Sequence, residues 1–128
     1  MSQGNMRATA LGRFFPLNLD PAAYTYTKAS FTLDGTWRDL DMSAIIPAGA
    51  TAVWLHGRIL GAYSGLRILF RRKGNSNTAE WGGLIFQFVT HWYHMYVPCS
   101  ALRVIQYNAS NDSANITNVD IVVMGYWT

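Results

Sequence analysis

Apolar and polar side chains alternate along this chain in short runs, and turn residues separate the runs. A period of two marks strands whose two sides face different surroundings. Tyr24–Thr32 is rich in β-formers with partial alternation, and Leu33-Asp34-Gly35-Thr36 carries an Asp-Gly turn signal. Trp37–Met42 reads as a short strand and Ile46-Pro47-Ala48-Gly49 as a loop. Thr51–Leu60 is a strong strand, with Val53, Leu55 and Ile59 on one face and Trp54 and His56 on the other. After a turn at Gly61 and Gly65, Leu66–Arg72 is expected to send Leu66, Ile68 and Phe70 inward and Arg67 and Arg71 outward. Gly74-Asn75-Ser76-Asn77 is the next turn, followed by strands over Leu84–Val89, His91–Val97 and Leu102–Tyr107. A polar loop is expected from Asn108 to Asn118, with its sequons at Asn108, Asn111 and Asn115 read as turn residues. A last strand, Val119–Met124, closes near Gly125, Tyr126 and Trp127.

This pattern makes seven or eight short strands and no helix, since Pro47 ends the one helical turn that Ser43–Ile46 could offer. The expected fold is all-β: a single antiparallel β-sandwich, jelly-roll-like, occupying residues 24–128. Residues 1–23 hold no sustained period and contain Gly4, Gly12, Pro16 and Pro21 beside Phe14, Phe15, Leu17 and Leu19. They read as an extended N-terminal arm, docked on its own domain or on a neighbouring subunit.

Composition adds a constraint. The chain has 128 residues, 50% hydrophobic and only 13% charged, about half the usual charged share. Eight arginines stand against two lysines, and six aspartates against the single Glu80, with five Trp and seven Tyr. Protein interfaces favour aromatics, Met and Arg over Lys and Glu, because the latter lose entropy and hydration on burial. A formal charge of +3, with one basic run at Arg71-Arg72-Lys73, points to no nucleic-acid partner. No apolar stretch approaches a membrane span, and the N-terminus carries no leader-like apolar core, so neither membrane nor secretory leader is expected.

Candidate chemistry is sparse. No nucleophile elbow or phosphate loop is present, Asp34 and Asp112 sit in turn contexts, and lone Cys99 after Pro98 reads as packed; no enzyme and no cofactor are expected. His91 and His94 would face opposite sides of a strand, so no metal site is expected within one chain; His56, His91 and His94 meeting on an oligomer axis is the alternative. The run His91-Trp92-Tyr93-His94-Met95-Tyr96 places aromatics on both faces of a strand. It reads as a subunit interface built on Trp92, Tyr93, Met95 and Tyr96, in preference to a sugar platform, which needs Asp, Asn or Glu beside the ring.

Four segments carry a resemblance: Ile46–Val53, Phe70–Ser76, Val97-Pro98 with Ile105–Tyr107, and Val119–Tyr126. Together they resemble the small β-sandwich domains of bacteriophage virion proteins, over roughly residues 24–127. The resemblance implies a non-enzymatic virion structural protein, made in the host cytoplasm, commonly trimeric. A stand-alone chain of this type looks like a capsid cement or decoration protein that clamps neighbouring major capsid subunits. A tail or fibre-tip receptor- or carbohydrate-binding module is the alternative. On the cement reading, Arg7, Arg13, Phe14 and Phe15 of the arm, which lies outside the resemblance, are expected to contact a neighbour or the shell.

Overall fold

The structure, a computed structural model, describes residues 12–17, 20–76, 81–84 and 90–128; of 81–84 the backbone alone is described. Among the described residues, eight strands form two four-stranded antiparallel sheets packed face to face. They are β1 (Phe14–Pro16), β2 (Arg38–Asp41), β3 (Ala52–Gly61), β4 (Arg67–Arg72), β5 (Trp81–Leu84), β6 (His91–Pro98), β7 (Val104–Ala109) and β8 (Ile116–Trp127). Sheet A runs β1-β8-β3-β6 and sheet B runs β2-β7-β4-β5. The fold is the expected β-sandwich.

Alternation builds the core. Val53, Leu55 and Ile59 of β3 and Ile68 and Phe70 of β4 are fully buried, as are Ile105 of β7 and Ile121 of β8. Burying each such side chain contributes about 1.5–3 kcal/mol, which fixes which face of each strand turns inward. Gly57 interrupts the inward face of β3, and the Tyr93 ring lies across the space a side chain would take there.

Three expectations are corrected. Tyr24–Thr32 is not a strand: Tyr26 makes a single bridge to Ile121, and a 3₁₀ turn occupies Lys28–Ser30. On that edge of β8, β1 pairs with Gly125–Trp127, and farther along the Val123 amide donates to Thr25 Oγ1, a side-chain bond where a ladder would place a backbone one. Lys28 then pulls the chain aside, its ammonium donating to the carbonyls of Ser113 (2.7 Å) and Ile116 (2.6 Å). The polar loop after β7 is shorter than expected, because β3 extends to Gly61 and supplies partners for Ile116 and Asn118. The strand expected from Leu102 begins at Val104 instead, after a tight turn in which Arg103 takes φ 65° and its amide donates to Ser100. Of the strand expected over Leu84–Val89, Leu84 closes β5 and the remainder lies outside the described residues.

The described part of the arm is seated on its own domain. β1 pairs with β8 through Phe14↔Trp127, Phe15↔Tyr126 and Pro16↔Gly125, and Leu17 donates to the Met124 carbonyl. Gly125 permits this seating: a Cβ there would stand 2.4 Å from Phe14 Cζ and 2.7 Å from the Phe15 carbonyl oxygen. Gly125→Ala should therefore release β1 while the remaining strands stay folded. Hydrogen exchange at Phe14–Leu17 reads the effect, and amides there that exchange as slowly as in the parent chain would contradict it.

Candidate functional site

The outer faces of the two sheets differ in kind. On sheet B, Lys73 Nζ meets both Asp39 oxygens (3.0 and 2.9 Å), Gln106 Nε2 donates to Asp39 Oδ1 (3.0 Å), and Arg71 Nε donates to Gln106 Oε1 (2.9 Å). Hydrogen bonds from Gln106 and Lys73 hold the Asp39 carboxyl below its ordinary value. The Arg71 guanidinium lies 4.0 Å from the Trp37 ring centroid. Such a ladder is content in water.

Sheet A presents the opposite surface. The inward parity of Val53, Leu55 and Ile59 turns Trp54, His56 and Arg58 outward on β3. On β6 the same rule turns out Trp92, His94 and Tyr96, and the register sets Trp54 opposite Tyr96, His56 opposite His94 and Arg58 opposite Trp92. Phe14 and Trp127 continue the face at its β1 side, with ring centroids 4.8 Å apart. Phe14 approaches Trp54 at 5.8 Å, Trp54 approaches His94 at 5.5 Å, and Tyr96 meets Trp127 edge-on at 5.1 Å. Trp92 and Tyr96 are 54% and 53% exposed. The charge on this face is the Arg58–Asp120 pair, 2.7 Å apart, with Asp120 buried and the guanidinium over Tyr24 and Trp92.

Two depressions flank the histidine pair. One, of about 410 Å³, is lined by Phe14, Trp54, His94, Met95, Tyr96 and Trp127. The other, of about 400 Å³, lies between the Pro21–Tyr24 segment and His56, Trp92, Val122 and Met124. Between them the His56 and His94 rings stack at 4.1 Å with 14° between planes, and Trp54 Nε1 donates to His94 Nδ1 at 3.2 Å. That bond requires an unprotonated Nδ1. Stacked rings also direct their lone pairs along the planes, so they do not converge on a shared cation. Among the described residues no three His, Cys, Asp or Glu side chains group as metal ligands.

Burial, then the neighbouring His94, holds the His56 imidazole below its ordinary value of 6.5. A group depressed on folding takes up its proton more readily in the unfolded chain, so stability declines as pH falls. The contribution of neutral His56 is fully present above about pH 6.5 and is lost as pH drops through its folded value. Thermal melts from pH 8 to pH 5 should show this decline, and His56→Gln should flatten it. An equal decline in that variant would contradict the assignment.

The expected interface residues divide. Trp92 and Tyr96 lie on the outer face, whereas Tyr93 and Met95 are 7% and 9% exposed and belong to the core between the sheets. Alternation along one strand forces this split, so neither Tyr93 nor Met95 is a surface residue of this chain. Phe14 faces outward beside Trp54, while Phe15 stacks on Tyr126 at 5.3 Å and carries the Arg13 guanidinium 5.3 Å from its ring centroid. Arg7 lies outside the described residues. The sequence alone suggested His56 and His94 only as metal ligands on an oligomer axis and left Trp54 and Trp127 unassigned, although the alternation of β3 already turned Trp54 and His56 away from the core. Cys99 is packed, its thiol donating to the Ala50 carbonyl at 3.4 Å, and burial pushes the thiol up, away from the nucleophilic thiolate.

The fold and the aromatic face define the class at this level: an all-β, two-sheet sandwich with one face laddered by charged and polar side chains and one largely aromatic face. No protein-family model matches the chain, and no curated protein matches it.

Proposed function

We propose that the chain is a non-enzymatic structural protein of a bacteriophage virion, a cement or decoration protein that assembles as a trimer and clamps neighbouring capsid subunits. The observation that carries this reading is the contrast between the sheets. Sheet B is crossed by a ladder of charged and polar side chains, while sheet A carries Phe14, Trp54, Trp92, Tyr96 and Trp127 on one outward surface. Apolar patches of this kind mark surfaces that neighbours cover. The resemblance of the strand and turn segments to virion β-sandwiches supplies the setting. Strands β1, β2, β3 and β4 fall alternately in sheets A and B, as do β6, β7 and β8, and we read this as jelly-roll wrapping. The test places the chain in a particle: antibody or gold labelling of intact virions should decorate the head surface. Labelling confined to tails or absent from particles would contradict the capsid assignment.

A second reading has one observation in its favour. The exposed Trp92 lies beside Arg58, which pairs with Asp120 brought in from β8, so the aromatic run has a carboxylate neighbour that its own strand lacks. A carbohydrate module at a tail tip would use such a grouping. It predicts saturable glycan binding that Trp92→Ala abolishes, and a glycan array without hits would dismiss it.

A further inference from the structure

The depression on sheet A beside Trp54 and His94 is walled by four aromatic rings. Neighbouring planes are inclined at 52° for Phe14 and Trp127, 58° for Phe14 and Trp54, and 71° for Tyr96 and Trp127. Rings at these angles form the sides of a box rather than one flat stack. The lining is overwhelmingly carbon, and His94 Nδ1 is already occupied by the Trp54 N–H. Hydroxyl or peptide groups entering such a place would give up water without replacement. A delocalised cation gains instead, because the π-faces attract it electrostatically and its own hydration is weak.

This chain fills comparable places itself. Arg58 lies over Tyr24 at 5.2 Å and Trp92 at 5.7 Å, Arg71 over Trp37 at 4.0 Å, and Arg13 over Phe15 at 5.3 Å. Among the described residues no arginine or lysine lies over the four rings of the box. The reciprocal feature stands on the other sheet. Arg67 opens β4 on the outer face of sheet B; its backbone bonds to Ser110, while its exposed guanidinium has no partner among the described residues.

We propose that the box formed by Phe14, Trp54, Tyr96 and Trp127 binds the Arg67 guanidinium of a second copy of this chain. The proposal rests on the reading of sheet A as a face that neighbouring subunits cover, and it names the neighbour. A contact between sheet A of one copy and sheet B of the next joins two different surfaces, and such contacts close into rings when the rotation allows. A trimer of this kind needs no two-fold self-complementarity in the aromatic face.

Two measurements test it. In the first, the indole N–H signals of the ¹⁵N-labelled chain are followed by NMR at a concentration where it is monomeric, with N-acetyl-arginine methylamide and its neutral citrulline counterpart as probes. The Trp54 and Trp127 signals should shift saturably with the arginine probe, about fivefold more weakly with citrulline, while Trp37 stays still. Equal responses to the two probes would overturn the proposal. In the second, sedimentation equilibrium compares the parent chain with Arg67→Ala and Arg67→Lys. Alanine should weaken self-association at least fivefold and lysine less; a parent and Arg67→Ala chain that associate alike would overturn the proposal and leave the covered-face reading standing. A parent chain that stays monomeric would instead remove that reading, and the second-copy occupant with it.

Discussion

Serine at both positions 92 and 96 should leave a folded chain that no longer associates at micromolar concentration. Trp92 and Tyr96 project from β6 on the outer face and are more than half exposed in the isolated chain, so their truncation opens no cavity in the sandwich. In an assembly they would be the largest side chains on the covered surface. Truncating a central aromatic costs an interface about 2 kcal/mol or more, so the pair should weaken association by roughly a thousandfold. Melting should change by no more than a few degrees. Tyr63 provides the control, because it is exposed in the β3–β4 turn and bonded to Asp112, away from sheet A. Tyr63→Ser should associate like the parent chain, and a Trp92→Ser/Tyr96→Ser chain that does so too would contradict the face assignment.

The second large effect lies inside the fold. An alanine Cβ at Gly57 would stand 2.5 Å from both Cζ and Oη of Tyr93. Tyr93 is buried in the core, with Phe70 at 6.5 Å and His91 at 6.4 Å from its ring, so the ring yields only by displacing core neighbours. Gly57→Ala should therefore destabilise the chain by about 3 kcal/mol, the upper part of the range for overpacked cores. For a domain of this size that lowers the melting temperature by roughly 10 °C. The cause can be isolated by shrinking the ring: Tyr93→Leu should cost stability alone yet lessen the penalty of Gly57→Ala, a non-additive pair. Tyr93→Phe separates the hydroxyl from the ring. That hydroxyl is buried without a hydrogen-bond partner among the described residues, and burial pushes the phenol well above its ordinary value. Its removal should be neutral or stabilising. A Gly57→Ala chain that melts with the parent would show that Tyr93 does not depend on the missing side chain.

The strands were legible because alternation is a local signal. Val53, Leu55 and Ile59 announce an inward face in one stretch of sequence, and Trp54 and His56 announce the outward one. Reading Trp92, Tyr93, Met95 and Tyr96 as one surface failed for the converse reason: hydrophobic character alone does not say which of two faces a residue occupies, and strand parity does. The site itself was not legible. That His56 stacks on His94, or that Trp54 donates to His94, depends on the register between β3 and β6, and no local pattern states a register. Asp120 beside Arg58 is a contact between residues 62 positions apart. Tyr24–Thr32 misled because strong β-formers do not by themselves fix a pairing: Thr25 meets the Val123 amide through its side-chain oxygen, and Tyr26 makes an isolated bridge to Ile121.

The outer face of sheet A is expected to be buried against a neighbouring copy in the working protein. Hydroxyl-radical footprinting at increasing protein concentration measures that burial residue by residue. Oxidation of Trp54, Trp92, Tyr96 and Trp127 should fall together as the mass rises from 14.3 kDa towards three times that value, while Tyr63 stays equally reactive. Undiminished oxidation of those four residues in the associated state would contradict the account.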